Sequence, residues 1–422
     1  MRADLPAPGD DAAAASAALT AIIAPEIVAR GGWISFARYM ELALYAPGLG
    51  YYAGGARKFG AEGDFLTAPE LTPLFGQAIA RQVAQILATT TSDATAAPVL
   101  IEAGAGSGRL AADLLPALDA LGALPARYAI LELSGELRAR QQATLAAHAP
   151  GYLDRVEWLD ELPEAIDGCV LGNEVLDAMP THALRWTANG ICERGVGWNG
   201  ERLHWADQPA SATLAEAAGA LGVAAPYAGE IGLAARAWVG ELSRRLRRGA
   251  MLLLDYGLPR RELYLPQRDG GTLRCHYRHR THDDPFWYPG LSDITSHVDF
   301  TAVAEAAFDA GLSVLGYTTQ ANFLINCGVG ELLQARLGAE AVKNVDAANA
   351  NHGGNRVVPP APKVSPDGTA PRASSPSDLR AQGAVNVLLS PNEMGELFKV
   401  IAVGRGMPPL LGFARGDRTH AL

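Results

Sequence analysis

Apolar positions recur along this chain with two different periods. Residues 12–30 are alanine-rich and carry Ile22, Ile23, Ile27 and Val28, a pattern that predicts an amphipathic helix after an Asp10-Asp11 cap. Phe36 to Tyr45 and residues 73–88 show the same spacing, separated by a loop with Pro47, Gly48, Gly50, Gly54 and Gly55. From Val99 the pattern changes. VLIEAGAG reads as a buried strand entering a glycine turn, and Ser107 to Leu121 as the helix that follows. YAILEL (128–133) and Gly135 to Ala147 repeat that pair. Further strands are predicted at VEWL (156–159), CVLGNEVLD (169–177), MLLLDYG (251–257), SVLGYTTQ (313–320) and FKVIAVGRG (398–406). Helices are predicted over 228–247 and over VDFTAVAEAAFDAG (298–311). Strands alternating with helices imply an α/β, doubly wound, mostly parallel sheet with helices on both faces.

Two stretches interrupt the alternation. Residues 183–205 carry Asn189-Gly190 and Asn199-Gly200, two type I′ turn signals, and predict an antiparallel ribbon projecting from the core. Residues 258–297 have little helical periodicity and many Arg, His and aromatic residues. The chain thus divides into an N-terminal helical or lid region (1–90), a first part of the core (91–182), an inserted β-ribbon (183–227), continued core (228–257), a substrate loop (258–297) and core completion (298–422). The Asn, Ala, Gly, Pro and Ser-rich stretch 344–385 reads as a mobile surface insertion. There are no internal repeats.

Composition narrows the function. The chain has 422 residues, 49% hydrophobic and 19% charged, enough to bury a sizeable core in two or three domains. A net charge of −10 argues against a broad nucleic-acid-binding surface. Apolar runs such as Met251-Leu252-Leu253-Leu254 fall well short of the about 20 residues a bilayer span needs. Cys169, Cys192, Cys275 and Cys327 form no CxxC pair, so neither a disulfide scaffold nor a zinc site is expected. The N-terminus lacks the marks of a signal or transit peptide, and a cytoplasmic location is the expectation.

The first strand ends in Glu102-Ala103-Gly104-Ala105-Gly106-Ser107-Gly108, an E-x-G-x-G-x-G turn between strand and helix. Its last glycine comes one residue earlier than in the G-x-G-x-x-G of pyrophosphate-binding turns. The tighter spacing favours a ligand without a pyrophosphate, such as S-adenosyl-L-methionine (SAM), over a packing turn with no ligand. Glu132, at the end of the second strand, is placed to accept hydrogen bonds from a ribose, though a solvated strand-end acid would read the same. Asn173, Glu174 and Asp177 crowd the carboxyl end of an otherwise buried strand. They are either helix caps or reactive groups, since unpaired polar groups there are costly.

Taken together, these residues resemble the MidA-like class I SAM-dependent methyltransferases over about residues 30–405. The resemblance rests on GDFLTAPELTPLFGQ (63–77), IEAGAGSGRL (101–110), LELSGELRARQ (131–141), GNEVLDAMPTH (172–182), LLDYG (253–257), the segment 271–300 and PNEMGELFKV (391–400). It implies that Glu102, Gly104, Ala105, Gly106 and Gly108 cradle SAM, with Glu132 on the ribose and Leu133 beside it. It also implies that Asp64, Thr67, Pro69 and Glu70 lie over the cofactor, and that Asn173, Glu174 and Asp177 face the methyl group. Many members have G-P-G-R-G where this chain has A-G-A-G-S-G, so Ser107 is not given the arginine's role. The stretch 344–385 falls outside the common pattern and is expected to be dispensable.

Mitochondrial members of that family are protein arginine methyltransferases that assist assembly of respiratory complex I. The implied partner is therefore a protein with an exposed arginine, and a homodimer is allowed. A guanidinium is cationic, and neutralising it beforehand at pH 7 would cost on the order of 7 kcal/mol. Two carboxylates can grip it and accept its proton; Glu174 and Asp177 are the expected pair, with Glu70 and Asp64 in reserve. Arg274, His276, Arg278, His279, Arg280 and His282 suggest a structural or substrate-contacting loop ahead of a metal or RNA site. His297 and Asp299 are either helix caps or an acid/base pair. Trp33, Phe36, Tyr39, Tyr45, Tyr51 and Tyr52 are either core or a lid. Met394 and Phe398 are expected in the core, with an edge strand after them.

Overall fold

The computed structural model describes residues 5–54, 67–91, 97–338 and 376–422. Its strands are β1 (Trp33–Ser35), β2 (Val99–Ala103), β3 (Arg127–Leu131), β4 (Val156–Leu159), β5 (Ile166–Asn173), β6 (His182–Thr187), β7 (Gly190–Trp198), β8 (Leu203–Pro209), β9 (Tyr227–Ile231), β10 (Leu246–Leu258), β11 (Arg274–Tyr277), β12 (Arg280–His282), β13 (Asp293–Thr295), β14 (Val298–Asp299), β15 (Ser313–Thr319) and β16 (Phe398–Arg405). The main sheet runs β15-β16-β10-β5-β2-β3-β4, with β14 extending β10. β4, β3, β2, β5 and β10 are parallel, and β16 runs antiparallel to both its neighbours.

Strict alternation along buried strands feeds two cores. Leu252 and Leu254 point to one face, against helices Pro73–Thr91 and Arg109–Ala120. Met251 and Leu253 point to the other, against helices Leu233–Arg245 and Phe300–Asp309. The strands are apolar on both sides because both faces are covered. The chain builds outward from β2 to β4, then reverses to β5 and β10. The β2–β5 gap is thus a topological switch point, where such sheets place their ligands.

Two smaller sheets border that edge. The predicted ribbon is the middle of an antiparallel sheet, β1-β7-β6-β9 with β8 on β7, and not a projection. It packs on helices Asp10–Ala29 and Phe36–Tyr45, so the N-terminal region and the ribbon share one core. β12-β11-β13 form the third sheet. The turn between β11 and β12 places Arg278 and His279 at φ of 46° and 59°, the left-handed pair of a tight hairpin, without glycine.

Several expectations change. The helix predicted over 228–247 is two elements, since 227–231 is β9, paired with β6, and the helix starts at Leu233. Asn189-Gly190 is not a type I′ pair, because Thr187 pairs with Gly190 across the hairpin. Asn199 sits in a longer loop, where its Oδ1 accepts from the Glu201 and Arg202 amides. Gly9 occupies the cap position before the first helix, with Asp10 and Asp11 in the first turn. β16 is an interior strand, and the edge belongs to β15. Met394 and Phe398 are buried. The N-terminal helix Asp10–Ala29 is long and apolar enough to cross a membrane by length and composition, unlike the short runs noted above. Its Leu19, Ile23 and Ile27 are fully buried against Ile34, Phe36 and Tyr39.

The insertion expected over 344–385 ends earlier. Residues 344–375 lie outside the described residues, but Pro376–Leu389 is a helix whose Val385 and Leu388 join the core. Leu388 is fully buried and its carbonyl accepts from Gln320 Nε2 at 3.2 Å. Leu388→Ala is expected to lose about 2–5 kcal/mol in denaturant unfolding. A loss under about 1 kcal/mol would mean that this helix is peripheral.

Candidate active site

A cavity of about 920 Å³ opens at the carboxyl ends of β2, β3, β4, β5 and β10. Its first half is built from the glycine turn. Gly104, Gly106 and Gly108 have φ of 63°, 53° and 82°, a conformation that costs side-chain-bearing residues. A Cβ at Gly108 would also lie 2.9 Å from Gln141 Cα. The turn therefore exposes bare backbone to the cavity, just before helix Arg109–Ala120. Ala105 lines it, as does Leu133, which is largely exposed.

Gln141, on helix Gly135–His148, ties this half together. Its Nε2 donates to Gly106 O and to Glu132 Oε2, both at 3.1 Å, and its Oε1 accepts from Trp158 Nε1 at 2.8 Å. Glu132 Oε1 accepts from the Ser134 amide at 2.9 Å, and burial raises its pKa. The two carboxylate oxygens are thereby fixed at the cavity wall, each with acceptor capacity left for a diol. Glu102 accepts from Tyr128 OH at 2.7 Å, and burial pushes its carboxyl up to about 7. Thr67 and Pro69 line the cavity, whereas Glu70 turns aside to accept from Ser107 Oγ. Asp64 lies outside the described residues. The bare glycine backbone and the fixed acid fit a nucleoside-bearing ligand such as SAM.

The second half is acidic. Asp255, 1% exposed at the end of β10, accepts from the amides of Val175, Leu176 and Asp177 at 3.1, 2.8 and 3.3 Å through Oδ2. Its Oδ1 accepts from the Tyr256 amide at 2.8 Å. This clamp shapes the turn after β5, where Glu174 adopts φ of 54°, a left-handed conformation unusual for a glutamate. Asn173 Nδ2 donates to Glu174 Oε1 at 2.9 Å, and both side chains line the cavity. Desolvation first, then the Asp255 charge, pushes Glu174 up to about 8. Asp177 is 4% exposed and held well above the usual carboxylate range by burial and by Asp255, Asp293 and Glu174. Asp177 Oδ1 and Asn173 Oδ1 are buried without a hydrogen-bond partner. Such orphaned acceptors are costly and call for a donor.

Several open readings resolve here. Phe36 and Tyr39 are core, whereas Tyr45, Tyr51 and Tyr52 line the cavity. Asp299 caps helix Phe300–Asp309, accepting from the Ala302 amide, and pairs with Arg260. His297 is held neutral by burial, with its pKa near 4, and stacks near Tyr256, so the two form no acid/base pair. His276 reaches the cavity, His279 sits in the hairpin turn and His282 pairs with Ser292 Oγ at 3.0 Å. Among the described residues no group of three or more His, Cys, Asp or Glu is arranged to hold a metal. The sequence reading assigned no role to Gln141, Asp255 or Asp293. Only Asp255 carried a local signal, an acid closing an apolar strand.

The raised carboxyls make stability depend on pH. Glu174, Glu102 and Asp255, at about 8, 7 and 7, keep protons in the folded state that the unfolded chain has released above about 4.5. That contribution is complete below the unfolded values and is lost as pH rises through the folded ones. Between about pH 6.5 and 8 the histidines lose their remaining protons from the unfolded chain, a smaller and opposing contribution, so the carboxyls dominate. The thermal midpoint of the ligand-free protein is expected to fall across this window, and Glu174→Gln to flatten the fall. A midpoint that rises instead would mean these acids are ionised and paired.

Residues 78–318 match the family described as "Putative S-adenosyl-L-methionine-dependent methyltransferase". The mouse protein named protein arginine methyltransferase NDUFAF7, mitochondrial, is 31% identical over 72% of this chain and 73% of its own length. Its zebrafish counterpart is 30% identical over 75% and 78%. A crystal structure from Burkholderia thailandensis, bound to S-adenosyl-homocysteine, is 48% identical with a TM-score of 0.85 and covers 99% of this chain and 100% of that one. The doubly wound fold is that of a class I methyltransferase, and SAM is its cofactor. This chain belongs to the MidA-like family of SAM-dependent methyltransferases.

Proposed function

We propose that this methyltransferase modifies an arginine side chain of a partner protein. The observation that carries the reading is the acceptor end of the cavity. Glu174 and Asp177 stand there at the wall with an orphaned buried oxygen, in a recess where a retained proton or a bound cation relieves their mutual repulsion. A guanidinium offers five N–H donors and one delocalised charge, which matches that demand. Relatives named protein arginine methyltransferases at about 30% identity support the same acceptor. The family resemblance makes a subunit of respiratory complex I the first acceptor to try.

SAM supplies the methyl group as a sulfonium electrophile and leaves with the electron pair of the broken S–C bond. This chain's residues supply the rest. Glu132 and the glycine turn orient the nucleoside, and holding the two reactants together removes much of the entropic barrier. Glu174 and Asp177 grip the guanidinium fork, and its charge restores their ionised forms. As the nitrogen takes the methyl group it sheds one N–H proton, and Glu174 receives it. The guanidinium beside it lowers Glu174 from about 8, so the carboxylate stands ionised at neutral pH and can take that proton.

The test uses methyl-labelled SAM, the purified protein and an extract of cells lacking its gene. Label recovered as methylarginine from a single protein band supports the reading; label confined to small molecules overturns it. Glu174→Gln is expected to slow transfer by about 10²–10⁴-fold with SAM affinity unchanged. kcat/KM for the acceptor is expected to rise as pH approaches about 8, since Glu174 carries a proton below that value. Full transfer by Glu174→Gln would remove it from the mechanism.

A further inference from the structure

We infer that Asp293 is a third acceptor-binding carboxylate and that Tyr52 is the residue that positions it; this rests on the arginine reading above. Asp293 comes from β13, in the small sheet beside the ends of the main strands, and lines the cavity; just beyond it the Ser296 amide donates to Asp177 O at 3.0 Å, which seats this strand next to the Asp177 turn. It is 8% exposed, and its charge is felt by both Glu174 and Asp177. In register it stands directly across from His276, which also lines the cavity. Asp255 cannot serve in its place, because both its oxygens are committed to four backbone amides.

Tyr52 holds Asp293 by donating its phenol to Oδ1 at 2.8 Å. The ring itself has little freedom. Its amide donates to Leu44 O at 2.8 Å, its carbonyl accepts from Ser134 Oγ at 3.2 Å, and it stacks on Tyr45 with centroids 5.5 Å apart. Tyr45 in turn donates to Ala178 O at 2.9 Å, beside Asp177. Ser134 is the residue whose amide fixes Glu132. One tyrosine therefore links the ribose acid, through Ser134, to Asp293. A guanidinium in this recess has five N–H donors to share among Glu174, Asp177 and Asp293, all three of which line the cavity.

The experiment measures binding of N-acetyl-arginine methylamide and its neutral citrulline analogue to the S-adenosyl-homocysteine complex by calorimetry. Steady-state kinetics follow on the acceptor identified by labelling. Asp293→Asn is expected to weaken the arginine probe at least about 10-fold and leave the citrulline probe unchanged. Tyr52→Phe is expected to raise acceptor KM about 10-fold with a smaller change in kcat, and to add nothing in the Asp293→Asn background. S-adenosyl-homocysteine affinity unchanged in both variants shows that the cofactor half is intact. Wild-type arginine binding by Asp293→Asn, or additive effects of the two substitutions, overturns the inference while leaving the arginine reading in place. A wild-type protein that does not prefer arginine to citrulline overturns both.

Discussion

One buried carboxylate organises the catalytic end of this protein. Asp255, buried near the carboxyl end of β10, gathers four backbone amides, three of them consecutive on the turn after β5. Hydrogen bonds to a charged acceptor are the strong kind, about 1.5–3 kcal/mol each. Together they offset the about 1–3 kcal/mol of strain in holding a glutamate left-handed. The turn aims Glu174 and Asp177 at the cavity, and with the clamp absent its amides would be unsatisfied.

The cavity divides by chemistry along the same line. The cofactor half is mostly backbone, opened by left-handed glycines and braced by one buried amide, Gln141. The acceptor half is side-chain charge in a poorly hydrated recess, where like charges raise one another's proton affinity. A neutral acceptor would leave that repulsion in place. On the proposed arginine reading, a cationic acceptor would relieve it in place of the retained protons.

The smaller sheets complete the enclosure. The antiparallel sheet β1-β7-β6-β9 and the two N-terminal helices form one core, which holds Tyr45, Tyr51 and Tyr52 against the cavity. The three-stranded sheet, whose Cys275 and Ile294 join that same core, adds His276, Asp293 and Thr295 to the lining. The loops and insertions that looked peripheral along the chain are the walls of the site, as expected when a rigid scaffold carries its function on connecting segments.

What was legible in the sequence was what local physics dictates. Apolar runs located β2, β3, β5 and β10 because the sheet is covered on both faces, and the half-buried edge strand β4 from its short VEWL segment; the glycine spacing identified the turn because glycine adopts that backbone at least cost. Glu132, Asn173, Glu174 and Asp177 could be named because polar and charged residues at the ends of apolar strands are conspicuous. β9 was read as helix because its exposure pattern depends on pairing with β6, a partner distant in sequence. Gln141 and Asp293 could not be assigned roles, and Tyr52 only the choice of core or lid, since a polar side chain carries no local mark of what it will touch. Which element meets which, and so which carboxylates share one recess, was decided only by tertiary packing, where burial and neighbouring charge give each acid its chemistry.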